Sequence, residues 1–227
     1  MESYDRTRAR LEHYFDRTAA RTWERLTSDA PVSGIRQTVR EGRDKMRAAM
    51  MARLPDDMRG LRVLDAGCGA GPMTQELAAR GADVVAVDIS PSLLEVAQKR
   101  MPAELMPQIT WHAGDMLDPA FGNFDYVMAM DSLIHYTAPD IAAALGKLLS
   151  RTRQAVIFTL APKTPMLSLM HLTGKLFPRS DRSPEIIPHS RADIAAALSS
   201  VGASTNLTEV AEIRKGFYIS LALELRP

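Results

Sequence analysis

Two kinds of hydrophobic periodicity alternate along this chain. Short apolar runs predict buried β-strands, and longer segments with apolar residues on one helical face predict amphipathic helices. Strands are predicted at 62–66, 83–87, 108–112, 124–130, 154–160, 205–211 and 217–224. Helices are predicted at 72–80, 91–100 and 138–150, with another beginning near Ser190. This alternation predicts a parallel sheet covered on both faces. A short turn at Lys215-Gly216 predicts that the last two strands form an antiparallel hairpin.

Two segments lie outside this alternation. Helical spacing of apolar residues predicts two helices before the first strand, at 4–26 and 32–54. The segment 161–189 has five prolines and no predicted strand, and we interpret it as a lid because a connection of this length is usually functional. The predicted division is a helical cap (1–57), an α/β core (58–160), the lid (161–189) and a C-terminal helix with hairpin (190–227).

A glycine-rich loop follows the first predicted strand. The chain from Arg62 reads RVLDAGCGAGPMTQELAARGADVVAVD, with glycines at 67, 69 and 71 and acids at 65 and 88. Glycine lets the backbone approach a ligand where a side chain would collide. An acid at the end of the second strand can accept hydrogen bonds from ribose hydroxyls. The pattern predicts a site for an adenosine-containing cofactor. Its spacing differs from the G-x-G-x-x-G of dinucleotide sites and from the nucleotide triphosphate loop.

Composition narrows the function class. The 227 residues carry a net charge of +1, which predicts no general nucleic-acid binding. The chain starts with charged residues, and no apolar run approaches the ~20 residues that span a bilayer, so we expect a cytoplasmic protein. The single cysteine, Cys68, fits a reducing compartment and is interpreted as a small filler of the glycine loop.

Further candidate residues follow the later strands. Ligands in open parallel sheets bind at the carboxyl ends of the strands. Asp115 and Met116 follow the third strand, and the segment MDSLIHY from Met130 contains His135 and Tyr136. Imidazole titrates near neutral pH, so His135 is the candidate for acid–base or positioning work.

The glycine loop resembles motif I of the class I S-adenosylmethionine (SAM) methyltransferases, and Gly114-Asp115-Met116 resembles their third motif. SAM carries a sulfonium cation and no phosphate, which agrees with acids around the loop. The resemblance implies a Rossmann-like seven-stranded α/β sheet, mostly parallel with a C-terminal antiparallel hairpin, with N-terminal helices and a lid insertion added. It also implies SAM as the cofactor, bound by Asp65, Gly67, Gly69, Gly71, Asp88, Ile89, Asp115, Met116 and Met130.

Several other stretches resemble the magnesium-protoporphyrin IX methyltransferases of chlorophyll and bacteriochlorophyll synthesis. They are YFDRTAARTWERLTSD (14–29), VSGIRQTVREGRDKMR (32–47), MDSLIHY (130–136), FTLAPKTP (158–165) and GKLFPRSDRSPEIIPH (174–189). This family esterifies one propionate of magnesium protoporphyrin IX, giving the monomethyl ester and S-adenosylhomocysteine (SAH). The magnesium belongs to the substrate, and no protein-bound metal is expected. The resemblance further implies delivery of the substrate by the large subunit of magnesium chelatase. Peripheral contact with the photosynthetic membrane is left open.

Under this resemblance the substrate needs an apolar clamp and polar groups for its propionates. Tyr14 and His135 are the candidate catalytic residues, which would orient the propionate or, for His135, accept its proton. The candidate substrate-binding residues are Tyr136, Lys163, His171, Lys175 and Arg179, with Arg182 as a further lid cation.

Two alternative functions stay open at this point. The first is another small-molecule SAM O-methyltransferase, such as one acting on a phenolic quinone precursor, for which a base such as His135 would be essential. The second is a SAM-binding or porphyrin-binding protein without catalysis. An assay with labelled SAM and magnesium protoporphyrin distinguishes the three.

Overall fold

The structure, a computed structural model, describes residues 2–15, 34–163, 185–203 and 206–227. Its helices are α1 (Glu2–Tyr14), α2 (Gly34–Met51), α3 (Pro72–Ala79), α4 (Pro91–Arg100), α5 (Ala138–Leu149) and α6 (Arg191–Ser200). Its strands are β1 (Arg62–Ala66), β2 (Asp83–Asp88), β3 (Ile109–Ala113), β4 (Phe124–Ala129), β5 (Thr152–Leu160), β6 (Leu207–Lys215) and β7 (Tyr218–Leu225).

The strands form one seven-stranded sheet in the order β3-β2-β1-β4-β5-β7-β6. Strands β1 to β5 pair in parallel, whereas β7 pairs antiparallel with both β5 and β6. The predicted α/β sheet with a C-terminal hairpin is therefore confirmed. Asp65 of β1 pairs with Ala86 of β2 and Met128 of β4, so the carboxyl ends of these strands meet at one edge.

The last strands show where the sequence pattern falls short. Strand β6 was predicted to end at residue 211 but continues to Lys215, which pairs with Tyr218 across the hairpin. The added residues are polar or only partly buried because β6 is an edge strand, so no apolar run marks them.

The first helix was predicted over 4–26. Its described part is Glu2–Tyr14, and 16–33 lies outside the described residues.

The core lies on both faces of the sheet. Successive residues of β1 point to opposite faces, so Val63 joins one buried cluster and Leu64 joins the other. Helix α2 packs on the Val63 face through three methionines at 46, 50 and 51. Helix α1 contributes Tyr4 and Leu11 to the Leu64 face.

The ends of the predicted lid lie beside the core. Pro162 forms a parallel bridge with His189, whose backbone N–H donates to the Ala161 carbonyl (2.9 Å). The centre of that segment, 164–184, lies outside the described residues, so the lid and the domain division stay predictions. Within the described ranges, the helices are all too short or too polar to cross a membrane.

Candidate active site

The loop from β1 to α3 is built from glycines in the left-handed region. Gly67, Gly69 and Gly71 have φ angles of 83°, 55° and 82°. A Cβ on Gly67 would lie 2.5 Å from the Cβ of Ser132, so only glycine fits this contact. At Gly69 no described atom lies within 4 Å of the same position, and Gly69 lines a cavity. The loop therefore packs tightly at Gly67 and presents bare backbone at Gly69.

Asp88, at the end of β2, holds this loop and faces the same cavity. Its Oδ2 accepts from the Gly69 backbone N–H (2.8 Å), and its Oδ1 accepts from the Ser90 N–H (2.9 Å). Burial raises the pKa of Asp88, and these two donors oppose the rise. A carboxylate has about four acceptor positions, so two backbone bonds leave capacity for hydroxyls of a ligand.

Asp65 lies behind the loop. It is buried, and its Oδ2 accepts from the Thr74 hydroxyl of α3 (2.6 Å). Burial raises its pKa to about 7. Asp65 is not among the described residues that line the cavity, so its position is that of a brace between β1 and α3.

Helix α1 closes another side of the cavity through Tyr4. The Tyr4 hydroxyl donates to Oδ1 of Asp115 (2.8 Å), and its ring stacks on Tyr136 at a centroid distance of 4.7 Å. Asp115 also accepts from the Leu117 N–H (2.9 Å). Both tyrosines and Met116 line the cavity, whereas Asp115 does not. Asp115 therefore connects the turn after β3 to α1.

His135 follows β4 and is buried in the cavity wall. Its Nδ1 lies 2.9 Å from the Glu185 carbonyl oxygen. A carbonyl only accepts, so Nδ1 carries the proton and Nε2 bears the lone pair of the neutral ring. Burial lowers the pKa of His135, which keeps the imidazole neutral at pH 7. Phe15 lies next to it, with ring centroids 6.2 Å apart.

Asp131, just after β4, has the backbone φ of 57°, which is uncommon for a residue other than glycine. Its Oδ1 accepts from the Tyr218 hydroxyl (3.1 Å) and from the Thr159 hydroxyl (3.3 Å). Its Oδ2 lies 3.5 Å from Nε of Arg43 on α2. These contacts join α2, β4, β5 and β7 at the cavity wall.

The cavity bounded by these groups has a volume of about 360 Å³. This lies within the range of roughly 300–1,000 Å³ typical of small-molecule sites. One part of its wall carries the glycine loop with Asp88 and Ile89. Another part is apolar, with side chains from α1 and the residue after it, from the segment before α6 and from the turn between β6 and β7: Leu11, Tyr14, Phe15, Ile186 and Phe217. The arrangement suits a polar cofactor beside a large apolar molecule.

Comparisons with known proteins agree with this geometry. The family model described as "Magnesium-protoporphyrin IX methyltransferase C-terminus" matches residues 129–227, and a "Methyltransferase domain" model matches 63–154. The magnesium-protoporphyrin O-methyltransferase of Rhodobacter capsulatus is 56% identical over 225 residues, which covers 99% of this chain and 98% of that protein. The chain belongs to the magnesium-protoporphyrin O-methyltransferase family.

A relative from Synechocystis resembles this chain in sequence, and a solved structure from that organism resembles it in fold. The magnesium-protoporphyrin O-methyltransferase from Synechocystis sp. (strain ATCC 27184 / PCC 6803 / Kazusa) is 33% identical over 218 residues, covering 94% of each chain. The crystal structure of the Synechocystis PCC 6803 magnesium protoporphyrin IX methyltransferase with bound SAH has a TM-score of 0.78 and 29% identity. It covers 96% of this chain and 99% of that one.

The site fits SAM, the methyl donor of methyltransferases of this kind. Gly69 leaves an open approach to the loop backbone, as a cofactor lying along it requires. Asp88 faces the cavity and keeps acceptor positions beyond those that its two backbone donors use. The Ser132 hydroxyl, packed against Gly67 at the cavity wall, is buried without a hydrogen-bond partner among the described residues, as expected of a group that awaits a ligand.

The predicted site residues separate into three sets in the structure. Those that line the cavity are Tyr14, Gly67, Gly69, Asp88, Ile89, Met116, Met130, His135 and Tyr136. Asp65, Gly71, Asp115 and Lys163 are not lining residues, and Lys163 instead forms an ion pair with Asp193 (3.8 Å). His171, Lys175, Arg179 and Arg182 lie outside the described residues. Ligand contact by each residue of all three sets stays a prediction.

The lining residues that the predicted site did not include are mostly apolar, but they also include Tyr4, Arg43, Asp131 and Tyr218. Asp131 lies in the segment 130–136 that was singled out, and an acid directly after a parallel strand is a usable signal. Tyr4 and Arg43 lie on the two N-terminal helices, and Tyr218 lies on the last strand. All three are therefore outside the strand ends at which the sequence predicts the site. No local motif marks them.

Proposed function

We propose that this chain transfers a methyl group from SAM to one propionate carboxylate of magnesium protoporphyrin IX, giving the monomethyl ester and SAH. The observation that carries the proposal is one cavity that combines the glycine loop and Asp88 with an apolar aromatic wall, in a chain that belongs to this family. Bound SAM supplies an activated methyl group on a sulfonium.

The residues of the glycine loop hold the cofactor in this proposal. Gly67 and Gly69 let the backbone lie against it, and Asp88 accepts hydrogen bonds from its ribose. The buried Asp65 acts indirectly, by bracing the loop against α3 through Thr74. Met116, Ile89 and Met130 supply apolar contacts to the adenosine part.

The propionate that accepts the methyl group needs to be oriented and freed of water, and it needs little chemical activation. A carboxylate is already ionised at pH 7, and holding it near the methyl group supplies much of the rate. The Tyr14 hydroxyl can donate to the propionate. His135 is neutral, with its lone pair on Nε2, so it can accept a proton from a propionic acid that enters the apolar cavity uncharged.

The test is methyl transfer by the purified protein from labelled SAM to magnesium protoporphyrin IX. We expect labelled monomethyl ester, and less ester from an Asp88→Ala variant at SAM concentrations that just saturate the wild type. Absence of labelled ester with the wild type would refute the proposal. Labelling of a phenolic quinone precursor instead would favour the alternative O-methyltransferase.

We also infer that the porphyrin reaches the cavity by direct transfer from the large subunit of magnesium chelatase, at a protein surface that can touch the photosynthetic membrane. Phe217 and Ile186 support this proposal because both line the cavity while being 65% and 42% exposed. Apolar side chains at a cavity mouth can receive an apolar substrate before it enters water. Faster methylation of chelatase-bound than of free porphyrin would support direct transfer, and equal rates would contradict it.

A further inference from the structure

Among the described residues of the cavity wall, acidic side chains outnumber basic ones. Asp88 and Asp131 supply two carboxylates, and Arg43 is the one lysine or arginine among the lining residues that the structure describes. The proposed substrate carries two propionates. Burying a carboxylate without a cation or a donor costs several kcal/mol, so the position of Arg43 decides where a carboxylate can be placed.

Arg43 is held at the wall by Asp131. The side chain is 20% exposed, and its Nε lies 3.5 Å from Asp131 Oδ2. This is longer than the ~2.7–2.9 Å of a charge-assisted hydrogen bond. Asp131 also accepts from the hydroxyls of Tyr218 and Thr159, so its negative charge is shared among several donors. A guanidinium has five N–H donors in a planar fork, so it can bind more than one acceptor.

The backbone of α2 is fixed where Arg43 projects from it. Gly42 faces the ring of Tyr218 so closely that a Cβ there would lie 2.6 Å from the ring Cδ1. One turn earlier, Thr38 packs against Gly216 of the hairpin, where a Cβ would lie 2.5 Å from the Thr38 Oγ1. Arg43 is therefore presented from a helix that is locked onto the hairpin.

We propose that Arg43 binds the propionate of the porphyrin that is not methylated, and so selects a porphyrin that carries a second free carboxylate. The inference rests on the proposed function. A planar guanidinium matches a carboxylate with two parallel hydrogen bonds. The same grip on the reacting propionate would occupy the lone pairs that must attack the methyl group, so the other propionate is the better partner.

The test compares three ligands in the presence of SAH: magnesium protoporphyrin IX, its monomethyl ester and its dimethyl ester. For Arg43→Gln we expect the affinities for the diacid and the monoester to fall about 10–100-fold, the range for one hydrogen bond to a charged group. Affinity for the dimethyl ester should not change. Arg43→Lys keeps the positive charge but loses the two parallel hydrogen bonds of a guanidinium. Its affinities for the diacid and the monoester should lie between those of the wild type and those of Arg43→Gln. Lys45→Gln is the matched control, because Lys45 is an exposed cation of α2 that does not line the cavity.

Each other outcome overturns the inference in a recognisable way. An equal loss for all three ligands, with SAH affinity kept, would show a packing role for Arg43. A loss for the diacid alone would assign Arg43 to the reacting propionate. Unchanged affinities in a wild type that methylates the porphyrin would exclude Arg43 while leaving the proposed function intact. A wild type that makes no ester refutes the proposed function itself.

Discussion

Gly42 lies in the middle of helix α2 with the ring of Tyr218 where its side chain would be. An added Cβ would lie 2.6, 2.8 and 2.9 Å from Cδ1, Cβ and Cγ of Tyr218. These atoms cannot rotate away easily, because Tyr218 is buried and its hydroxyl is bonded to Asp131. Gly42→Ala must therefore shift α2, the hairpin, or both.

Two effects of opposite sign act in this variant. Alanine in a helix interior is more favourable than glycine by roughly 0.5–1 kcal/mol. Overpacking a core contact costs about 1–3 kcal/mol. We expect the steric cost to prevail, with a net loss of about 1–2 kcal/mol in the free energy of unfolding. Urea titration followed by circular dichroism measures this quantity.

Gly146→Ala is the matched control. Gly146 lies inside helix α5, and its Cβ would lie 3.9 Å from the Ala203 Cβ, which is an ordinary contact. This variant should be more stable than the wild type by the helix effect alone. The difference between the two variants isolates the steric cost, about 1–3 kcal/mol.

The functional result of Gly42→Ala should follow from the displacement of Arg43. We expect weaker binding of magnesium protoporphyrin IX with SAH affinity unchanged, because the glycine loop lies on other elements. If Gly42→Ala proved as stable as Gly146→Ala, the close packing of α2 on Tyr218 would be refuted. The account of how Arg43 is positioned would fail with it.

Three further predictions concern the acids and the histidine of the site. Asp88→Ala should weaken SAH binding about 10–100-fold by calorimetry, because hydrogen bonds to a charged acceptor are lost, and an unchanged Kd would contradict the cofactor role. His135→Ala should lower kcat with SAH affinity kept, and wild-type kcat should stay flat from about pH 8 down to 7 because the lowered pKa keeps the ring neutral there. Full activity of the variant would make His135 a bystander. The pKa of Asp65 is raised from 3.8 to about 7 in the folded protein, so its protonated form adds stability below 3.8 that is lost as the pH rises through 7. The free energy of unfolding of Asp65→Asn, relative to that of the wild type, should therefore rise by about 2–4 kcal/mol between pH 4 and pH 7. The same difference between the two proteins at both pH values, measured by urea titration, would contradict this.

The parts of the fold that could be predicted are those encoded by neighbouring residues. Buried strands read as apolar runs, and the glycine loop with Asp88 is contained in one β-α-β unit. The end of β6 could not be predicted, because an edge strand needs no apolar alternation to keep its backbone paired.

The remainder of the site depends on contacts between distant segments. The Tyr4 hydroxyl meets Asp115 across 111 residues, and the Tyr218 hydroxyl meets Asp131 across 87. Neither pair has a spacing that a local pattern can detect. Arg43 had the appearance of one of several cations on the polar face of α2. In the structure Arg43 lines the cavity and contacts Asp131, whereas Lys45 is exposed and does not line the cavity.

The charges of the wall also bear on the order of binding. Without ligands the described wall carries Asp88 and Asp131 against Arg43, an excess of one negative charge that opposes an anionic porphyrin. A sulfonium held at the glycine loop would cancel this excess, so we expect the same wall to accept the porphyrin more readily once SAM is bound. Among apolar side chains the attraction between a carboxylate and a sulfonium is stronger than in water. Methyl transfer removes both charges together, which leaves the excess of negative charge on the wall and one propionate on the product. We therefore expect the product beside SAH to bind less tightly than the substrate beside SAM.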